Sequence, residues 1–188
     1  MKKFEEKKFN IPKLKGISDK NVEEHLKLYA GYVKNANLIL EKAEDNELQR
    51  RFAFEFDGMR NHEYYFAQFE GGSTSLTTSG SLAKAITQEF GSFENWLTQF
   101  KSIALTRGVG WAFLYYDSQT KRLFNQWIDE QHIGHLTGLS PIIALDMWEH
   151  AYVADYQPSG KKNYVEDFFA NLNWEVVEKN FANIPKKC

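Results

Sequence analysis

Residues 71–80 divide this chain into two parts with different hydrophobic patterns. The segment reads Gly-Gly-Ser-Thr-Ser-Leu-Thr-Thr-Ser-Gly, and such a run of glycine and small polar residues is typical of a connecting loop. Before it, apolar residues recur at helical spacing, whereas after it aromatic runs alternate with polar turns. We therefore expect two domains, residues 1–80 and residues 81–188.

The first part is predicted to be a helical hairpin that follows an extended, lysine-rich lead-in over residues 1–16. Ser18 is suited to cap a first helix that runs to about residue 45, because serine accepts hydrogen bonds from the first helical turn. A second helix is predicted over about 47–69, and Gly71-Gly72 is a strong stop signal. This part is expected to be entirely helical.

The second part is predicted to mix helices with strands. Ser81 and Ser92 are candidate caps for two short helices over 82–90 and 93–104. A helical period returns at the end of the chain, over residues 163–181.

Three short segments between these helices are predicted to be strands. The aromatic runs Trp111–Tyr116 and Arg122–Ile128 flank a polar turn at residues 117–120, which indicates a β-hairpin. Pro141–Leu145 is a short apolar run that fits a third, buried strand. The whole chain is therefore predicted to be α+β, with an all-helical first half and an α+β second half.

Charge and composition give no sign of a nucleic-acid or membrane partner. The 23 Lys and Arg residues nearly balance the 25 Asp and Glu residues. No apolar run approaches the roughly 20 residues that span a bilayer. Residues 1–8 are charged without an apolar signal core, and the single cysteine is Cys188. We therefore expect a cytoplasmic protein in a reducing compartment.

The segment Asp146-Met-Trp-Glu-His150 carries the strongest sign of chemistry. Asp146 directly follows an apolar strand, and His150, four residues later, can converge with it on one ion. A carboxylate with an imidazole suits iron, manganese or zinc. The pair alone is a weak pattern, because a surface acid and a stray histidine give the same spacing, and Trp148 and Tyr152 are more often core residues.

Two further histidines strengthen the metal hypothesis. His25 lies in the first predicted helix and His62 in the second, each among apolar or aromatic neighbours. A lone histidine of this kind is usually a core residue with its hydrogen bonds satisfied. One on each arm of a helical hairpin, together with Asp146 and His150, makes a set of three histidines and one aspartate. Such a set leaves a fifth position for solvent or substrate.

Segments along nearly the whole chain resemble the iron/manganese superoxide dismutases, and they occur in the family's order. Asp146–Tyr152 closely matches the D-x-W-E-H-A-Y motif of that family. The weaker matches are Phe9–Pro12, Ile17-Ser18 with His25, Tyr32-Val33 with Asn37, Asn61-His62, Gly108–Trp111, Tyr164 and Asn173–Glu175.

The resemblance implies an antioxidant enzyme that converts superoxide to oxygen and hydrogen peroxide at one redox-cycling iron or manganese ion per subunit. It implies His25, His62, Asp146 and His150 as ligands, with water or hydroxide as the fifth. It also implies an N-terminal long α-helical hairpin and an α/β domain with a three-stranded antiparallel sheet flanked by helices, the metal lying between them. Iron and manganese both stay open.

The first helix departs from the family pattern. Tyr32 stands where the family has a tyrosine that gates the substrate, but it follows His25 at a spacing one residue shorter than usual. Counting back from Tyr32 would make Glu24 the ligand, whereas counting forward from Ile17-Ser18 gives His25, which we prefer. Tyr29 replaces a histidine, and Val153 replaces the tyrosine that normally reaches across the dimer to it.

The residue that bonds the metal's solvent is expected to come from the second half. Iron-type members have a glutamine four residues before the second-helix histidine, and this chain has Gly58 there. Gln131 and His132 are the two candidates, and we prefer His132.

The aromatic surroundings and the assembly are also implied by the resemblance. Trp148 keeps its place between two ligands, while Phe66 and Phe113 stand where tryptophan is usual. Glu149 is implied to bond the ligand histidine of a partner subunit, and Tyr152 completes the motif. We expect a homodimer, with a tetramer as the alternative.

Two rival hypotheses stay open. The absence of the cross-subunit pair favours a catalytically weak or non-dismutase metal-binding paralogue on the same fold. A helical-hairpin interaction protein without a metal would leave the three histidines and the aspartate unexplained.

Overall fold

A computed structural model describes residues 2–42 and 44–185 of the chain, and Cys188 lies outside the described residues. None of the helices in these ranges is both long and apolar enough to cross a membrane. The predicted cytoplasmic location stays a prediction.

Two long helices form the N-terminal hairpin, as predicted. Helix α1 (Asp19–Leu40) begins after Ser18, whose hydroxyl accepts a hydrogen bond from the Asn21 N–H. Helix α2 (Asn46–Ala67) begins after Asp45, whose carboxylate accepts from two N–H groups of the first turn. The first helix ends at Leu40 rather than near residue 45, and the two helices pack against each other.

Helices α3 (Ser81–Phe90) and α4 (Phe93–Ala104) follow the glycine-rich loop. Ser92 caps α4, as predicted. The prediction for Ser81 was wrong, because Gly80 is the N-cap and Ser81 is the first helical residue. The Glu178 carboxylate accepts from the first N–H groups of α3 instead, so a distant side chain satisfies this helix end.

A three-stranded antiparallel sheet lies at the centre of the second half, with strand order β2-β1-β3. The strands are β1 (Gly110–Asp117), β2 (Arg122–Asp129) and β3 (Ser140–Asp146). Every residue of β3 from Ile142 to Asp146 is buried. The register pairs Trp111, at the start of the central strand, with Asp146, at the end of β3. The predicted fold class is therefore confirmed.

The predicted helical segment over residues 163–181 is two helices, α6 (Lys161–Asn171) and α7 (Trp174–Ala182). A short helix, α5 (Val153–Tyr156), precedes them, and it completes the helices after the sheet. Asn173 separates the last two, because its side chain accepts from the first turn of α7 while its amide donates to the Glu70 carbonyl.

A single buried apolar cluster contains residues from both sides of residue 80. Gln68, the residue that follows α2, joins the halves directly, since its side chain donates to the Ala144 carbonyl and accepts from the Ala144 N–H. The division into two domains at residue 80 therefore stays a prediction, and the four predicted metal ligands lie where the halves meet.

Candidate metal centre

Four side chains from four different elements converge at the junction of the two halves. His25 comes from α1, His62 from α2, Asp146 from the end of β3 and His150 from the 3₁₀ turn that follows. Their ligand atoms all lie within 4.8 Å of one another, and they form the one such cluster within the described ranges 2–42 and 44–185. The sequence analysis named the same four residues.

The three imidazoles face one oxygen of the aspartate. The Nε2 atoms of His25, His62 and His150 lie 3.2, 3.6 and 3.1 Å from Asp146 Oδ2. The other carboxylate oxygen accepts a hydrogen bond from the Trp148 N–H at 2.8 Å. This backbone contact fixes the plane of the carboxylate, so that Oδ2 points at the histidines.

His62 has a defined tautomer. Its Nδ1 lies 2.6 Å from the Gly58 carbonyl oxygen, and a carbonyl can only accept, so Nδ1 carries the proton and Nε2 presents a lone pair. That Nε2 is buried and has no hydrogen-bond partner among the residues that the structure describes. A buried polar atom without a partner is costly, and a metal cation between His62 and Asp146 would satisfy it.

Burial favours the neutral, metal-binding form of the His25 and His62 imidazoles. It lowers the pKa of His25 and brings the pKa of His62 to about 3. For Asp146, burial alone would raise the pKa, but the hydrogen bonds and charges of His150 and His25 bring it below its usual range. Neutral imidazole and ionised carboxylate are the ligating forms, and three nitrogens with one oxygen suit iron or manganese.

Aromatic rings enclose the ligands. The ring of Phe66 lies 4.9 Å from that of His25, and Trp111 lies 5.0 Å from His62. Trp148 stacks on His150 with ring centroids 5.8 Å apart. Phe113, which the resemblance placed in this cage, packs on Trp111 with a centroid separation of 6.2 Å and is therefore one ring further out.

Tyr152 and Tyr164 form a stacked pair that holds the main chain of Asp146 in place. Their rings stack 5.4 Å apart, and the Tyr164 hydroxyl donates to the main-chain oxygen of Asp146 at 2.9 Å. Both side chains are buried. Glu149 is exposed, and its predicted bond to a partner subunit stays a prediction.

A buried amide connects Tyr32 to the start of the central strand. Gln131 is fully buried; its Nε2 donates to the Tyr32 hydroxyl at 3.0 Å, and its Oε1 accepts from Trp111 Nε1 at 2.9 Å. The Tyr32 ring lies 5.1 Å from that of His62. Burial raises the pKa of Tyr32, so its hydroxyl stays protonated.

His132, which the sequence analysis preferred, lies outside these contacts. Its ring packs edge-on against Phe54, and its buried Nδ1 has no hydrogen-bond partner within the described part of the chain. The geometry thus favours Gln131 over His132 as the residue next to the metal ligands. The two adjacent side chains differ in their contacts, because the Gln131 amide lies between Tyr32 and Trp111 whereas the His132 ring packs against Phe54.

Gly58 makes room for Tyr32. A Cβ atom at this position would lie 2.6 Å from the Tyr32 ring, closer than real Cβ contacts. No side chain of α2 can therefore approach the site from residue 58 unless Tyr32 moves, which agrees with the expectation that the polar partner comes from the second half.

Tyr29 belongs to a separate network. Its hydroxyl accepts from the Lys7 N–H at 2.9 Å and donates to Glu63 Oε1 at 3.3 Å. Glu63 also forms ion pairs with Lys7 and Arg60. The phenol that replaces the family's histidine is thus committed to contacts within its own chain.

Two residues next to the ligands were missing from the predicted site. Trp111 contacts His62, and Asn61 donates to the Gln131 carbonyl at 2.8 Å. The sequence did carry a signal for both, since each belongs to a short segment that resembles the family.

The chain is similar to known iron- and manganese-containing enzymes. Residues 78–180 match the family model of the iron/manganese superoxide dismutases, C-terminal domain. A superoxide dismutase [Fe] of Cupriavidus metallidurans is 34% identical and matches over 90% of this chain and 91% of its own length. A superoxide dismutase [Fe] of Aquifex aeolicus is 33% identical over 92% and 88%. A superoxide dismutase [Mn/Fe] of Aeropyrum pernix is 34% identical over 82% and 78%.

Proposed function

Because this chain belongs to the iron/manganese superoxide dismutase family, we propose that it converts superoxide to oxygen and hydrogen peroxide at one bound iron or manganese ion. The observation that carries the proposal is the buried Nε2 of His62, which has no hydrogen-bond partner among residues 2–42 and 44–185 and lies 3.6 Å from the Asp146 carboxylate beside two further imidazoles. A function without a metal would not explain why these four side chains converge in a buried position.

The four ligands would hold the ion with a net ligand charge of −1, since only Asp146 is ionised. When bound, the ion supplies the chemistry of accepting an electron from one superoxide and giving an electron to the next. The surrounding Phe66 and Trp111, both almost fully buried, exclude bulk water from that position. A dry pocket strengthens every hydrogen bond and charge interaction inside it.

Tyr32 and Gln131 are the proposed source of hydrogen bonds and protons. The Tyr32 oxygen accepts from Gln131, so the phenol proton is available for donation. Formation of hydrogen peroxide consumes two protons, and a neutral phenol beside the ligands can deliver one without bringing a net charge. We choose Gln131 over His132 for this role because Gln131 contacts both Tyr32 and Trp111.

We also propose a homodimer in which Glu149 bonds the ligand histidine of the partner subunit. The support is that Glu149 is exposed directly beside His150, whose side chain is partly accessible. Such a contact would orient the imidazole from outside the chain.

A catalytically weak metal-binding protein is the second candidate. The Tyr29 hydroxyl is engaged by Lys7 and Glu63 of its own chain, and Val153 carries no hydroxyl. The usual cross-subunit pair is therefore absent on both sides, which favours slow proton delivery. Metal uptake would be normal in this case and turnover would be low.

The test is reconstitution of the metal-free protein with iron and with manganese separately, with metal content and superoxide dismutation measured on the same samples. Asp146→Asn keeps the shape of the side chain but removes the ligand charge, and Asp167→Asn is a matched control in a partly buried aspartate that contacts Lys15 and Tyr156. We expect about one ion per chain and rapid turnover with at least one metal, lost in Asp146→Asn and kept in Asp167→Asn.

Two other outcomes have distinct meanings. One ion per chain without turnover in either metal form would reject the enzyme and support the metal-binding paralogue. No uptake of iron or manganese by the wild-type chain would reject both.

A further inference from the structure

His135 contacts the main chain of Gln131, and Tyr115 contacts His135. Neither residue is one of the four predicted metal ligands. His135 Nε2 lies 3.0 Å from the main-chain oxygen of Gln131, and its Nδ1 forms a hydrogen bond with the Tyr115 hydroxyl. Tyr115 is a buried residue of the central strand, and the His135 ring also packs against Phe113 at 5.4 Å. The imidazole therefore links the loop that carries Gln131 to the sheet.

Both hydrogen bonds are satisfied by a single tautomer. The Gln131 carbonyl can only accept, so His135 Nε2 carries the proton and donates it. Nδ1 is then an acceptor for the Tyr115 hydroxyl. The phenol thus selects the tautomer that binds the carbonyl, in the same way that a carboxylate or carbonyl bonded to the other ring nitrogen orients a metal-ligating histidine.

The Gln131 carbonyl accepts two hydrogen bonds. Asn61 of α2 donates to it at 2.8 Å, and His135, four residues further along the loop, donates at 3.0 Å. The flanking backbone is irregular, with positive φ angles at Glu130 and Gly134. Asp129 and Ile133 form a short backbone bridge across this loop, and the Glu130 N–H donates to the Val109 carbonyl. Loop residues are ordinarily less rigid than strands and helices, so the two donors on the Gln131 carbonyl add to this limited backbone order.

We propose that His135, held in its tautomer by Tyr115, is a positioning residue that fixes the main chain of Gln131 and thereby keeps its side-chain amide between Tyr32 and Trp111. What Gln131 then does for the reaction rests on the proposed function. Where its amide points is a property of the folded chain and can be measured separately.

The direct test is NMR of the ¹⁵N-labelled full-length chain loaded with zinc, which is diamagnetic and leaves nearby signals sharp. The observed signals are the Gln131 side-chain amide and the Trp111 indole N–H, assigned by their loss in Gln131→Leu and Trp111→Phe. The variants are His135→Leu, which removes the donor, and His135→Gln, whose amide N–H can replace it. The side-chain amide of Gln68, buried and bonded to Ala144, is the internal control.

We expect His135→Leu to shift or broaden both signals while the Gln68 amide stays in place, and His135→Gln to restore them in large part. In the iron- or manganese-loaded enzyme, His135→Leu should lower turnover about 10-fold, at the lower end of what loss of an outer-shell contact causes, and should shift the alkaline limb of the pH–rate profile. A folded His135→Leu protein with unchanged Gln131 and Trp111 signals would overturn the proposal.

Tyr115→Phe keeps the test decisive if His135→Leu does not fold, because it removes one hydroxyl and keeps the ring. Shifted Gln131 and Trp111 signals in this variant support the positioning role, and unchanged signals reject it. If the signals move as expected but the wild-type enzyme does not dismutate superoxide, the positioning role stands and the proposed function fails. If the wild-type enzyme is active and the signals do not move, the proposed function stands and the positioning role fails.

Discussion

Asn61 and Glu63 flank His62 on the same helix, yet they lead into networks of opposite character. Asn61 donates to the Gln131 carbonyl and so joins a group of neutral side chains around Gln131, Tyr32 and Trp111. Glu63 accepts from the Tyr29 hydroxyl and forms ion pairs with two cations. We call these the neutral network and the charged network.

The two networks differ in their access to water. Glu63 is 6% exposed, but its partners Lys7 and Arg60 are 57% and 39% exposed, so the cations remain largely hydrated. Gln131 and Trp111 are fully buried. An ion pair at a water-accessible edge avoids most of the desolvation cost that a fully buried pair incurs.

The difference matters for a metal whose charge changes by one unit in each half-reaction. A fixed charge buried on the substrate side would favour one oxidation state strongly, because charge interactions are large at low dielectric constant. Neutral donors and acceptors orient solvent and substrate with a smaller bias. We therefore infer that the neutral network serves the chemistry and that the charged network serves the fold.

Gln131→Leu should have the largest effect on activity. It removes the amide that bonds Tyr32 and Trp111, and we expect turnover to fall by 10- to 100-fold, the usual cost of losing an outer-shell partner. Stability should also fall by about 1–3 kcal/mol, because the buried Trp111 N–H loses its acceptor. Superoxide dismutation at equal metal content and urea unfolding measure the two effects. Wild-type turnover in the metal-loaded variant would remove the neutral network from the mechanism.

Glu63→Gln should show the opposite pattern. The amide keeps the shape of the side chain but loses the ion pairs with Lys7 and Arg60, and we expect a loss of about 1–2 kcal/mol, reduced by the exposure of both cations. Turnover per bound metal should stay within about twofold of wild type, because loss of this charge leaves the contacts of Gln131 intact. A tenfold fall in turnover without a change in stability would contradict the division into two networks.

Tyr29→Phe should have a smaller effect on stability and separates the two candidate functions. Only the hydroxyl is lost, which costs about 1 kcal/mol for hydrogen bonds that water can partly replace. Activity should be unchanged, since the hydroxyl contacts Lys7 and Glu63 and not Gln131. The check is kcat measured on the metal-loaded variant beside its unfolding midpoint, and a large fall in kcat would assign proton delivery to Tyr29.

The ligand set could be predicted because its signals are local and its motif is specific. Ser18 fixes where α1 begins, and Asp146 follows a continuous apolar strand, so the aspartate had to lie at a buried strand end. His25 and His62 were candidates because they lie on the two predicted helices of one hairpin, and the resemblance to the family implied both as ligands. The choice of His25 over Glu24 also depended on the resemblance, through the spacing from Ile17-Ser18.

The parts that could not be predicted depend on distant contacts. Ser81 looked like a helix cap, but Glu178, nearly a hundred residues away, satisfies that helix end. The choice between Gln131 and His132 depends on the positive φ of Glu130 and on donors from Asn61 and His135. No local pattern reports which of two adjacent loop side chains points inward.

Asp57 of α2 is an acidic residue close to the neutral network, and it is therefore an exception to the separation of charged from neutral side chains. Burial raises its pKa to about 6 from an ordinary 3.8, although the charge of His132 lowers it. Burial and then the charge of Asp57 raise the pKa of Tyr115. The folded state therefore holds a proton on Asp57 more tightly than the unfolded state does. Stability from this group is complete below about pH 4 and is lost as the pH rises through 6.

Asp57→Asn should remove that loss. We expect no difference from wild type at pH 4 and a gain of about 1 kcal/mol at pH 8, a value reduced because the side chain is only half-buried. Urea midpoints of the metal-loaded proteins at both pH values measure it. A gain at pH 8 with unchanged turnover would mean that the neutral network tolerates a charge at its edge and needs neutrality only around Gln131. An equal gain at both pH values would instead trace the effect to packing, and Asp57 would carry no electrostatic cost.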